Sequence, residues 1–93
     1  MPEVIFHIRW PDGREERCYS PSTAIFQHLS AGQTYALAEF VQRARTGLTA
    51  ASDRVAAQYG FACSSALDQL ARIEATASRY PDEAAQVVCL SLK

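Results

Sequence analysis

WPDGREERCYSPS, residues 10–22, decides how this chain begins to fold, because it holds a turn and the strand that follows it. Pro11 fixes the backbone angle that the second position of a type I turn requires. Asp12 suits the third position, and Gly13 can take the positive φ that comes next. The stretch therefore predicts a three-residue hairpin loop with a glycine bulge between two antiparallel strands.

This loop sets the register of the hairpin. A two-residue turn is disfavoured, because it would put Pro11 at a paired position where its missing N–H costs a ladder bond. A shift by one residue would turn every side chain of the second strand to the other face. The predicted pairs are Arg9 with Glu15, His7 with Arg17, Phe6 with Cys18 and Ile5 with Tyr19.

The first strand, residues 3–10, alternates between two faces. The face expected to pack on helices carries Val4, Phe6, Ile8 and Trp10. The face expected to point outward carries Ile5, His7, Arg9 and, from the second strand, Tyr19.

Two helices are predicted before residue 60. Ser20 as N-cap and Pro21 at the first helical position indicate a short helix that Gly32 ends. Residues 34–59 then carry apolar side chains at steps of three and four, which indicates a long helix ending at glycine 60. The apolar stripe keeps its phase across Gly47, so one helix is predicted here, although glycine costs about 1 kcal/mol relative to alanine.

A further helix and a last strand complete the chain. Ser65 and Asp68 have the spacing of a capping box, and the helix should run to about residue 80, before Pro81. Residues 87–92 are rich in strand formers and predict an edge strand with little charge. The helix residues expected to be buried are Leu67, Leu70, Ile73 and Ala77.

The direction of each element predicts the fold class. The two helices should run antiparallel, so that the last strand lies beside the first and parallel to it. The result is a single α+β domain, residues 1–93, with two layers. Its three-stranded mixed sheet has the order 2-1-3, from the N-terminal hairpin and the C-terminal strand, and one face carries two long antiparallel helices and one short helix.

Composition argues against several classes of protein. The net charge of −1 does not favour nucleic acid or a membrane surface as a partner. No apolar run approaches the roughly 20 residues that span a bilayer, and the first ten residues lack a signal-peptide pattern. Three widely spaced cysteines fit a reducing compartment, so a cytoplasmic location is expected.

No catalytic, cofactor or metal site is predicted. The chain has no glycine-rich phosphate loop and no GxSxG motif. His7 and His28 are the only histidines, and neither has metal-ligand spacing. Asp68 and Arg72 have the spacing of a helical ion pair on a solvated face. These observations favour a non-enzymatic protein and leave an enzyme as the less favoured class.

Cys63 is the candidate reactive thiol. It precedes two serines at the start of a helix, where the helix dipole and free N–H groups stabilise a thiolate. The alternative is that Cys63 fills a gap between two helices. Cys18 and Cys89 are expected to be packed as small hydrophobic residues.

Several motifs together resemble a known family. They are WPDG (10–13), CYSPS (18–22), AEFVQRAR (38–45), YGFACS (59–64) and DQLARIEA (68–75). The set resembles a small bacterial family of nitrogen starvation response proteins, of mycobacterial type, over most of the chain. Genes of that family lie beside a nitrilase, a radical-SAM protein, an acetyltransferase and a flavin-dependent oxidoreductase, a cluster associated with nitrile or cyanide nitrogen use. The resemblance implies a cytoplasmic accessory role, with those enzymes as candidate partners, and it assigns no catalytic residue.

The outward sheet face is the predicted interface, formed by Ile5, His7, Arg9 and Tyr19. Either Val87 with Cys89 or Val88 with Leu90 joins it, depending on the phase of the last strand. Uncovered aliphatic and aromatic groups favour a homodimer there. Two alternatives to an accessory binding protein remain: a thiol carrier or sensor that uses Cys63, and a purely structural homo-oligomer.

Overall fold

A computed structural model describes residues 2–61 and 64–93 of the chain. Within that part, no helix is long and apolar enough to cross a membrane. A 3₁₀ helix, Thr23–Gln27, lies between the second and third strands. The other elements are β1 (Val4–Arg9), β2 (Glu15–Ser20), β3 (Thr34–Ala36), α1 (Leu37–Tyr59), α2 (Ser64–Ala77) and β4 (Gln86–Leu92).

The β1–β2 hairpin has the predicted turn and register. Gly13 has a φ of +90°, and its N–H donates to the Trp10 carbonyl over 2.9 Å. Phe6 lies opposite Cys18, and Ile5 lies opposite Tyr19. The local turn chemistry of residues 11–13 therefore decides which side chains of β2 face the core.

Gly13→Val should lower the free energy of unfolding by about 1–3 kcal/mol, because a β-branched residue resists a positive φ. A Cβ at Gly13 would meet no heavy atom within 4 Å, so the loss would come from backbone strain and not from a clash. Gly13→Asn is the control, since asparagine tolerates this conformation. Urea denaturation compares the variants, and an unchanged midpoint for Gly13→Val would contradict the bulged hairpin.

The sheet differs from the prediction in size and direction. It has four strands, in the order β2-β1-β4-β3. β4 pairs antiparallel with both β1 and β3, so the predicted three-stranded mixed sheet and the parallel last strand are wrong. The reason is β3. It adds a strand that was not predicted, and the chain reverses its direction between β3 and α1. β4 is therefore an inner strand and not the exposed edge that was predicted.

The core lies between this sheet and the two antiparallel helices, as the two-layer α+β prediction expected. Three large side chains are at most 1% exposed: Phe6 and Ile8 on β1, and Trp10 directly after it. They share one cluster with side chains of both helices, among them Phe40, Ala44, Leu48 and Ile73. Arg45, early in α1, pairs with Glu74, late in α2, over 2.6 Å, which fits antiparallel helices.

Helix boundaries correct several predictions. Ser22 and not Ser20 caps the 3₁₀ helix, because its hydroxyl accepts from the N–H of Ala24. That helix ends at Gln27, well before Gly32, and α1 begins at Leu37 and not at residue 34.

In the second half of the chain, Gly60 ends α1 with a φ of +86°, as predicted. Ser65 lies inside α2, so it is not the predicted capping residue. Leu67 is 45% exposed, so its predicted burial is wrong. Ala66 and Gln69 are buried on the inner side of α2 instead.

Candidate functional site

The open face is the surface of the sheet opposite the helices, and we define it by Ile5, His7, Arg9, Tyr19 and Val88. The first three alternate with the buried residues of β1, and Tyr19 is opposite Ile5. Ile5, Tyr19 and Val88 are half-buried, whereas His7 and Arg9 are exposed. The structure thus brings the four residues of the predicted interface to one side of the sheet.

The phase of β4 decides which of its residues join the open face. Val87 and Cys89 are fully buried, and Val88 is opposite Arg9. Leu90 is the additional residue of a β-bulge, because Cys89 pairs with Ile8 and Ser91 pairs with His7. Val88 therefore extends the apolar part of the open face onto β4, and the bulge at Leu90 interrupts the alternation that follows it.

The two polar residues of the open face are paired with neighbouring side chains. Nδ1 of His7 lies 3.0 Å from the Ser91 hydroxyl. The Arg9 guanidinium pairs with Glu15 over 3.3 Å, and both side chains are about half exposed. Such an exposed pair contributes little to stability. Polar groups thus lie beside the apolar side chains, a mixture that is common at protein interfaces.

Cys18 and Cys89 pack as small hydrophobic residues, as predicted. Both are buried free cysteines. Burial, followed by the neighbouring Glu16 carboxylate, raises the pKa of the Cys18 thiol, and the Arg72 charge opposes this only in part. Burial also raises the pKa of Cys89. Cys63, the candidate reactive thiol, lies outside the described residues.

Native protein should show at most one thiol that reacts rapidly with a disulfide reagent at pH 8. A raised pKa lowers the thiolate fraction at a given pH, and the thiolate is the nucleophile, so Cys18 and Cys89 should react slowly. Cys63→Ser should have no rapid thiol, and urea-unfolded wild type should show all three. A rapid thiol in Cys63→Ser would contradict the burial of the other two; none in wild type would contradict a reactive Cys63.

A cavity of about 320 Å³ lies between β2 and α2, on a part of the molecule for which the motifs predicted no site. We call it the β2–α2 cavity. Its lining residues are Arg17, Cys18 and Tyr19 of β2 and Ser65, Asp68, Gln69 and Arg72 of α2. Sequence reasoning placed Asp68 and Arg72 on a solvated helix face and assigned Gln69 no role. The helical period could have indicated only that the four lining residues of α2 share one side of that helix.

Metal binding finds no support in the described residues, where no three side chains of His, Cys, Asp or Glu come together as a metal site. His7 and Cys18 lie on opposite faces of the hairpin, as the register predicted.

Comparison with known proteins identifies the family. Over residues 5–92, the chain matches the family described as nitrogen starvation-induced protein NitG. This chain belongs to the NitG family. The match confirms the resemblance inferred from the motifs and links the chain to nitrogen starvation. No curated protein and no solved structure gives a match.

Proposed function

We propose that this NitG-family protein is a non-catalytic accessory protein that binds other proteins through the open face. The proposed setting is the cytoplasm, in a nitrogen-starvation pathway that assimilates nitrogen from nitriles or cyanide. The nitrilase, radical-SAM, acetyltransferase and flavin-dependent proteins associated with such gene clusters are the candidate partners. In their absence, the same face would join two copies of this chain.

One observation carries this proposal: the open face presents Ile5, Tyr19 and Val88 on the side of the sheet opposite α1 and α2. Within the described residues, both long helices pack on the inner side of the sheet. An uncovered patch that mixes aliphatic, aromatic and charged groups is typical of an interaction surface. Strand β2 is exposed as an edge, but its Glu and Arg residues discourage edge pairing.

Sedimentation equilibrium at micromolar concentration tests the homodimer. Wild type should be a dimer, and Ile5→Lys should be a monomer, because the new charge would be buried without a partner. Gln58→Lys adds the same charge at an exposed position of α1 and should leave the dimer intact. A monomeric wild type at every concentration would contradict the homodimer and leave the open face to another partner.

Titration against each purified enzyme of the cluster tests the accessory role. At least one enzyme should bind wild type and Gln58→Lys equally, and Ile5→Lys should bind at least about tenfold more weakly, because a central interface position is lost. Circular dichroism checks that each variant is folded. A dimer that binds none of these enzymes would contradict the accessory role and favour a purely structural homo-oligomer.

A further inference from the structure

Gln69 has a hydrogen-bond donor without a partner at the β2–α2 cavity. Its side chain is only 6% exposed, and its Oε1 accepts from the N–H of Tyr19 over 3.1 Å. That bond fixes the orientation of the amide, since the other orientation would bring two donors together. Nε2 of Gln69 is then buried with no hydrogen-bond partner among the described residues. Buried donors are rarely left unpaired, so this one indicates a site for an acceptor atom.

Arg72 supplies a positive charge to the same cavity. It follows Gln69 by three residues on α2, so the two side chains project from one side of the helix. Within the described part of the chain, Arg72 forms no salt bridge, and the predicted pair with Asp68 is absent. Arg72 and the buried Cys18 of β2 line the same cavity, so Arg72 lies on the side of α2 that faces β2.

We propose that the β2–α2 cavity binds the carboxylate group of a small molecule, with Gln69 Nε2 and Arg72 as the donors. Carboxylate oxygens accept from amide and guanidinium N–H groups together, and arginine matches their planar geometry. The cavity has a volume of about 320 Å³, which is enough space for a small molecule. The cavity shares Tyr19 with the open face, but both proposed donors lie on α2, and the proposal does not depend on the proposed function.

Asp68 should distinguish carboxylate ligands that carry an ammonium group from those that do not. It also lines the cavity, one helical turn before Arg72, and no described residue forms a salt bridge with it. A ligand with an ammonium group beside its carboxylate would place opposite charges near both side chains. Acetate and glycine are therefore the two probes: they share the carboxylate and differ in the ammonium group.

The test is a titration of ¹⁵N-labelled protein followed by NMR, with sodium acetate replacing sodium chloride at constant ionic strength. Saturable shifts are expected for the Gln69 side-chain amide and the Tyr19 backbone amide. Glycine should shift the same amides, and tighter binding of glycine than of acetate would assign its ammonium group to Asp68. Acetamide, a neutral molecule of the same shape, should shift neither amide. Shifts that rise without saturation, or equal shifts with acetamide, would overturn the proposal.

Two variants separate the donors from a structural effect. Gln69→Glu keeps an oxygen for Tyr19 and replaces the Nε2 donor, and Arg72→Gln removes the charge at an exposed position. Both should weaken acetate binding at least about tenfold. Arg79→Gln, which removes an exposed charge that does not line the cavity, should bind as wild type does. If Gln69→Glu fails to fold, Arg72→Gln decides, and wild-type affinity in that variant would overturn the proposal.

Discussion

Replacing Trp10 by alanine is expected to lower the free energy of unfolding by about 3–5 kcal/mol, the usual cost of deleting a buried aromatic side chain. Domains of this size have a total stability of roughly 5–15 kcal/mol. The variant should therefore be close to the limit of folding. The urea midpoint should fall by at least about 1 M.

The contacts of Trp10 explain this large effect. The indole ring is 1% exposed and stacks on Tyr80 with centroids 5.9 Å apart. The same ring forms a T-shaped contact with Phe40, with centroids 5.7 Å apart. The indole N–H also donates to the Glu16 carboxylate over 2.9 Å. Alanine would thus leave a cavity between the sheet and helix layers and a partly buried carboxylate without its donor.

Circular dichroism should follow this unfolding, because Trp10 is the only tryptophan of the chain and its removal also removes the fluorescence signal. Tyr59→Ala is the matched control: it deletes an aromatic ring that is 54% exposed and should cost less than about 1 kcal/mol. Trp10→Phe should fall between the two. Equal stability of Trp10→Ala and Tyr59→Ala would show that the Trp10 contacts do not stabilise the fold.

Gly47→Leu should destabilise the protein by about 1–3 kcal/mol through overpacking. Leucine is the better helix former by nearly 1 kcal/mol, so any loss must come from packing. A Cβ at Gly47 would lie 2.6 Å from Cδ1 of Ile25, a fully buried residue of the 3₁₀ helix. A larger side chain would force that helix away from α1. Thr49→Leu, at an exposed position of α1, is the control.

A double-mutant cycle identifies the atom responsible. Ile25→Val removes Cδ1, and Gly47→Ala adds only the Cβ. If these two atoms collide, the double variant should be more stable than the sum of the single changes predicts, by at least about 0.5 kcal/mol. Additive effects, or a Gly47→Leu variant as stable as Thr49→Leu, would contradict the close approach.

The hairpin could be predicted from the sequence because its determinants are local. Pro11, Asp12 and Gly13 select one loop, and the loop fixes which residues pair and which faces they occupy. Gly60 is a similar case, since its left-handed conformation depends on its own backbone. Periodicity alone also predicted the inner side of β1 and the length of most of α1.

The sheet topology could not be predicted, because β3 has no local signal. Thr34, Tyr35 and Ala36 were included in the predicted long helix, and three residues are too few for alternation to be recognised. Their strand conformation comes from pairing with residues 86–88 of β4, far along the chain. Omitting this strand also omitted one chain reversal, so the predicted direction of β4 was opposite to the observed direction.

The two candidate sites differ in the same respect: one follows largely from local sequence signals, and the other depends on a contact between distant residues. Four residues of the open face followed from the hairpin register, whereas Val88 depended on the phase of β4, which the sequence left open. The role of this face in binding remains a prediction. The β2–α2 cavity depends on Gln69 meeting the backbone of Tyr19, a contact between residues fifty positions apart. No spacing rule connects such residues, so only the folded chain reveals the unpaired amide.

On the ribosome, β1 is made long before β4, its neighbour in the middle of the sheet. Until β4 emerges, β1 has one unpaired edge, and β3 has no described partner strand at all. The sheet can therefore close only as a late step, after both helices have been made, and such distant pairing is slow. Unpaired edges are sites of aggregation. This strand order thus leaves those edges open until the last strand of the chain has been made.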